Sequence, residues 1–458
     1  MRLQLLILCL AVFVTNGFGQ TYFSKKNVLE DLESLKTVLE TSHYDLFAYT
    51  NKKDYTATYA TIKDQIRQDS LTLLQTTNLF QQLTTIVNNG HTYIDFPIQP
   101  YIQYVQSGGT LFPLEIAFEN GKAYVRKNWS THPEIKVGAE LLSINGKFVH
   151  EIIGDMYPYI AAERPYFKNA KIEFYAFPRY YWQVYGKQDA FRIRLKDKNE
   201  IKTLEVPAIN AITDFESKRK EIFHSDRQLK HFDQTAYLNP GAFSGDEQRF
   251  KKFIDSSFVA INVNKSQNVI IDLRNNTGGN DAFSDYMVSY FADKPFKWCS
   301  DFKVKTSEAL KEHTRKNGDT TAAYFREILV HKDGDIYAPN LDFYQPQEVG
   351  KRFKGQVYVL VNRQSISQAT VTAAQIQDYG WGKIVGEETG EYPSLFASVF
   401  QYQLPNTGII VNISKGRIVR VNGSEKEEGV IPDIFIRDHL IDEEDEILDG
   451  VLERINNL

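Results

Sequence analysis

A chain of 458 residues, 42% hydrophobic and 24% charged, exceeds what one ordinary core organises, so two or three domains are expected. A formal net charge of −5 without a long basic cluster argues against nucleic acid as the partner. The 30 Phe and 26 Tyr are scattered and read as core and surface filling rather than as a binding stripe.

The first stretch, MRLQLLILCLAVFVTNGFGQ, has one early positive charge at Arg2 and an unbroken apolar run from Leu5 to Val14, followed by small residues at Gly17 and Gly19. This layout predicts a secretory signal peptide over 1–19, cleaved after Gly19, and the apolar run is too short for a membrane span. Cys9 would leave with it, so Cys299 remains alone and no internal disulfide can form. An exported protein of this kind fits a bacterial envelope, periplasmic or extracellular.

Residues 20–99 are expected to form a helical region. In NVLEDLESLKTVLETSH, apolar side chains recur at Val28, Leu29, Leu32, Leu35, Val38 and Leu39, the spacing of one buried face. LTLLQTTNLFQQLTTIVNN repeats the pattern and runs into Gly90-His91-Thr92. Residues 100–208 change character. TLFPLEIAFENGKAYVRKN alternates around Asn120-Gly121 and reads as a hairpin, and IKVGAELLSINGKFVHEI places a short strand, an Asn145-Gly146 turn and a helix start in succession.

From 209 to 458 the pattern is α/β. A capping box, Ser244-x-x-Glu247, opens an amphipathic helix, NVIIDLR and GQVYVLVN read as buried strands, and an Ala-rich helix follows the second. Two loops at strand ends can carry chemistry. DLRNNTGGN contains Gly278-Gly279, whose amides can approach a ligand closely. NRQSISQATVTAA places Ser365 and Ser367 at a strand-to-helix junction, where helix N–H groups favour a developing negative charge, although a serine there can also merely cap the helix. No P-loop, dinucleotide fingerprint or metal-ligand spacing is present, and neither cofactor nor metal is expected.

Taken in order, VIIDLRNNTGG, VNRQSIS, VGEETG and GVIPD resemble the S41 family of serine peptidases, which includes the C-terminal processing (tail-specific) peptidases and the tricorn core-like peptidases. Gly138, Leu141, Ile144, Asn145 and Gly146 resemble the recurrent element of a PDZ domain. The resemblance implies an α/β multidomain protein: an N-terminal helical region, a PDZ-like β-rich domain over 100–208, and a crotonase-like (ClpP/crotonase type) catalytic core over 209–458. It implies a polypeptide substrate held near its C-terminus by the PDZ-like domain and cleaved through an acyl-enzyme.

Residue by residue, Ser367 aligns with the family nucleophile and Ser365 with the preceding non-catalytic position. Gly278 matches the oxyanion-hole glycine, and the Gln368 N–H would be the second donor. The tail-processing branch carries a catalytic lysine after its G-E-x-T element, but this sequence reads GEETGEYPS, with Glu391 and Tyr392 there, and Lys383 lies too early to replace it. The other branch takes a histidine from a D-G-H-T element, which NNGHT matches at His91 with Asn89 in place of the aspartate. An imidazole can accept the serine proton and return it to the leaving amine. A glutamate shortly before GVIPD should orient His91. Glu425, Glu427 and Glu428 are the candidates, with Glu425 favoured. Two other readings stay open: a non-catalytic peptide- or ligand-binding relative, and a small-substrate esterase or amidase using the same serine.

Overall fold

A computed structural model describes residues 21–219 and 226–457. The expected signal peptide lies outside the described residues. Among those described, no helix is long and apolar enough to cross a membrane. The architecture is mixed α/β, with helices packed on several sheets.

The N-terminal periodicity gives the helix Lys25–Ser42, opened by Ser24, whose side chain accepts the Asn27 N–H, and burying Val28, Leu32, Leu35, Val38 and Leu39. The second run gives the helix Leu73–Thr85, begun by a reciprocal capping box between Thr72 and Gln75. That helix ends just before Asn89, so its packing sets where the chain carrying His91 emerges.

A six-stranded antiparallel sheet follows, in the order Glu200–Pro207, Ala190–Asp197, Glu140–Ile144, Lys122–Asn128, Leu114–Glu119, with Lys147–Phe148 paired to Glu140–Ile144. Asn120-Gly121 and Asn145-Gly146 make its expected turns, all four residues at positive φ. Two helices, Pro165–Tyr175 and Phe177–Tyr185, close one face, placing Ile172, Phe177, Tyr180 and Tyr181 in its core.

A second six-stranded sheet runs Gln228–Phe232, Thr235–Asn239, Asn268–Asp272, Gln356–Val361, Lys383–Gly386, Ile434–Phe435, antiparallel at its first pair and parallel thereafter. Both reactive-looking loops leave the C-terminal ends of adjacent parallel strands, Asn268–Asp272 and Gln356–Val361, as such sheets place their ligands. The helix before them differs from expectation at its start. It spans Glu247–Val263 and is capped by Asp246, whose carboxylate accepts the Arg249 N–H at 2.9 Å, so Ser244 lies too far upstream to cap it. A further sheet contains Leu395–Gln403 and Ile410–Val419 and takes in Tyr93–Ile94, two residues past His91.

The antiparallel module is bolted to the Ser367 loop by a buried cation. Arg363, four residues before Ser367 and 3% exposed, donates to Glu173 of the helix Pro165–Tyr175 at 2.7 and 3.1 Å, and to Glu387 at 2.8 and 3.0 Å. Glu173 also accepts the Phe118 N–H at 2.6 Å and Gln364 Nε2 at 3.1 Å. Breaking one partner of a buried, fully bonded pair is expensive because the other charge stays buried. Glu173→Ala is therefore expected to cost about 3–5 kcal/mol, read from the urea unfolding midpoint by tryptophan fluorescence.

Candidate active site

Ser367 stands where the strand Gln356–Val361 hands over to the helix Gln368–Tyr379, and its backbone is bent sharply at φ 54°, ψ −124°. A non-glycine residue there stores strain of order 1–3 kcal/mol, which the surrounding bonds must offset. They do so on both sides. Ser365 Oγ donates to Leu273 O at 2.8 Å and accepts the Asn362 N–H at 3.1 Å, while the Ile366 N–H donates to Asn276 O at 2.9 Å. Ser365 is thus a fully buried structural serine. Ser367 does not cap its helix through its side chain; its hydroxyl points elsewhere.

It points at His91. Nε2 of that imidazole lies 3.0 Å from Ser367 Oγ, although the two residues are 276 positions apart in the chain. On the other side of the ring, Nδ1 lies 3.0 Å from Glu391 Oε1. The second oxygen of Glu391 accepts the backbone N–H of Ser367 itself. One carboxylate, 1% exposed, therefore touches both ends of the serine–histidine pair.

Glu425, favoured from the sequence, is not in this group. Its side chain is 65% exposed and pairs with Arg417 at 3.1 Å, from the loop that follows the strand Ile410–Val419. The residue facing His91 is Glu391, at the place where the tail-processing pattern carries its lysine. That substitution was visible in GEETGEY, but only proximity to His91 gives it meaning. Lys383 is exposed at the start of its strand, paired with Tyr358, and takes no part.

The histidine loop is held tightly. Asn89 is fully buried; its Oδ1 accepts from Ser414 Oγ at 2.7 Å, and its Nδ2 donates to Phe396 O at 3.1 Å and Glu163 Oε1 at 3.3 Å. An aspartate there could not donate to Glu163, which accounts for the amide. Thr92 Oγ1 accepts the Ser414 N–H at 3.2 Å.

Of the two expected oxyanion donors, Gln368 is the first residue of its helix, so its N–H has no intrahelical acceptor. Its side chain is tied to Ser284 Oγ at 3.0 Å. Gly278 lies against Ser367, but its N–H donates to Asn276 Oδ1 at 2.8 Å in a local side-chain turn. At φ +83°, a Cβ on it would fall 2.6 Å from Gln368 N and 2.7 Å from Ser367 Cβ, and backbone cannot yield. Gly278→Ala is expected to lower turnover about 10²-fold, measured as kcat on any cleaved substrate.

Burial of His91 opposes its charged form, yet the charge and contact of Glu391 outweigh this and hold its pKa above the ordinary histidine value. Glu391 is raised by burial but more strongly lowered by His91 and Lys171, so it remains anionic. A general base works in its neutral form, so activity should rise as pH climbs through the His91 pKa and fall below it. Glu391→Gln removes the charge that raises that pKa. The acid limb should move to lower pH, with kcat reduced roughly 10²–10⁴-fold; a pH–rate profile of both proteins checks it.

Among the described residues no group of three or more His, Cys, Asp or Glu is placed to hold a metal ion. Cys299 is buried.

Residues 234–436 match the family model of peptidase family S41. A tail-specific protease of Haemophilus influenzae is 28% identical over 140 residues, covering 28% of this chain and 20% of that protein. The chain thus spans about a fifth of that curated relative. The crystal structure of mature CPAF aligns with a TM-score of 0.66 at 14% identity, over 95% of this chain and 97% of that one. Mature CPAF complexed with lactacystin aligns at 0.64 with 15% identity, over 94% and 97%. At these identities the likeness to the solved structures is one of fold.

Proposed function

On the premise that residues 234–436 are a peptidase family S41 domain, we propose that this chain is an exported serine endopeptidase working through Ser367, His91 and Glu391. The observation that carries the reading is the contact of His91 Nε2 with Ser367 Oγ at 3.0 Å, backed by Glu391 on the far ring nitrogen. Three residues from separate parts of the chain converge in the order nucleophile, base, orienting carboxylate. Core packing alone asks for no such order.

Ser367 Oγ attacks the scissile carbonyl carbon as its proton passes to His91 Nε2. The imidazolium is stabilised by Glu391, and the oxyanion is received by the Gln368 N–H at the positive end of its helix. The Gly278 N–H joins when it leaves Asn276 Oδ1. Collapse breaks the C–N bond, and His91 returns the proton to the departing amine. Water, deprotonated by the same imidazole, then hydrolyses the acyl-serine.

In this reading the antiparallel module is PDZ-like and presents a polypeptide near its C-terminus to a crotonase-like core. The Asn145-Gly146 turn leading into the helix Val149–Met156 supports the first assignment, and loops leaving adjacent parallel strands support the second. The relative from Haemophilus influenzae carries the name tail-specific protease, and the proposed preference for chain ends follows that likeness.

Wild type, Ser367→Ala and His91→Ala should be compared on casein, on an unfolded protein with a free or an amidated C-terminus, and on a small ester. Cleavage of protein by wild type, with loss of at least about 10³-fold in each variant, is the expected result. Turnover of the ester alone would make it an esterase. No turnover by wild type, with no labelling of Ser367 by a serine-directed phosphonate, would make it a binding protein.

A further inference from the structure

Two partly buried side chains outside the Ser367–His91–Glu391 line take hold of the Gly90 backbone beside the histidine. Glu163 Oε1 accepts the Gly90 N–H at 2.7 Å. Lys171 Nζ donates to Gly90 O at 3.3 Å and to Ala161 O at 2.6 Å, and lies 4.4 Å over the Phe167 ring. Both polar groups of Gly90 are thus engaged by one segment, 161–171, of the antiparallel module. The fit is tight: a Cβ on Gly90 would come to 3.1 Å from Glu163 Oε2, Glu391 Oε1 and Phe167 Cε1, closer than ordinary van der Waals contact.

We propose that Glu163 and Lys171 are positioning residues that clamp Gly90 from both sides and thereby fix the His91 ring on Ser367. The inference rests on the reading of His91 as the base. It makes the approach of the base to the nucleophile depend on a module that contributes no reacting group.

Crowding also sets the two carboxyls apart. Glu163 and Glu391 flank a single glycine, where two like charges are costly. Burial and the Glu391 charge push the Glu163 carboxyl above its ordinary range, against the pull of the Gly90 N–H, Lys171 and His91. Lys171 is lowered by burial and raised by both carboxylates, with burial prevailing. The phenols of Tyr49 and Tyr392 also feel the charge of Glu163, which together with burial raises both. Glu391 is thus the carboxyl held toward its charged form beside His91, and Glu163, shifted toward its neutral form, accepts the Gly90 N–H.

The test is the rate at which a fluorophosphonate labels Ser367, followed across the neutral pH range in the full chain, with circular dichroism as the check on folding. Glu163→Ala and Lys171→Met should each slow the pH-independent rate about 10–10²-fold. Glu163→Gln, which keeps an oxygen for the Gly90 N–H and adds no charge, should stay within about threefold of wild type with its acid limb unmoved. If Glu163→Ala does not fold, Lys171→Met carries the same expectation. Wild-type rates in both Glu163→Ala and Lys171→Met would overturn the clamp. So would a Glu163→Gln variant as slow as alanine with its limb displaced to lower pH, since Glu163 would then be acting through charge. His91→Ala run in parallel separates the two levels: an undiminished rate there removes His91 as base, whereas a lost rate with intact Glu163 and Lys171 variants removes only the clamp.

Discussion

The buried guanidinium of Arg363 is the constraint on which the rest depends. It sits four residues before Ser367, nearly out of water, and has carboxylates from two directions, Glu173 and Glu387. Two buried carboxyls on one guanidinium need further polar partners, and Phe118 N–H, Gln364 Nε2 and Arg437 supply them. The nucleophile loop is therefore held from beneath by a charge network in which every member needs the others. A planar, forked donor suits this better than lysine, because Arg363 meets each carboxylate with two bonds.

That anchoring permits the strain above it. Ser367 holds a backbone conformation that few side chains adopt, and it does so with its N–H on Glu391 and its neighbours pinned to Asn276 and Leu273. The result is a hydroxyl aimed out of the turn rather than back at the helix it precedes. Glu391 then does two jobs with two oxygens. Because one of them fixes the serine backbone, the geometry of base and nucleophile is set by a single rigid carboxylate instead of two independent side chains.

The same economy appears on the histidine side. The ring comes from a short, largely buried loop between the helix Leu73–Thr85 and the strand Tyr93–Ile94. It is stiffened by Asn89 on Ser414, Thr92 on Ser414 and Gly90 on Glu163 and Lys171. These partners lie on the strand Ile410–Val419, on the helix Pro165–Tyr175 and on the segment just before it.

The sequence by itself determined a good deal. Hydrophobic periodicity predicts the helix Lys25–Ser42, Asn-Gly pairs predict the two turns of the antiparallel sheet, and apolar runs predict the adjacent strands Asn268–Asp272 and Gln356–Val361. These are local signals, carried by spacing of three and four, by φ-permissive residues and by β-branched runs. Ordered motifs identified the S41 resemblance and singled out Ser367 and His91. The helix start at Asp246 rather than Ser244 was a local choice between two good caps. What only the tertiary structure decided is which acid meets the imidazole. Glu391, Glu425, Glu427 and Glu428 are chemically alike and close in sequence, and no periodicity separates them. Glu391 is enclosed between His91 and the Ser367 backbone, whereas Glu425 extends from an exposed loop toward Arg417. Glu163 and Lys171 were silent in the sequence for the same reason: an ionisable side chain gains its role from burial and from the charge beside it, and both are properties of the folded chain.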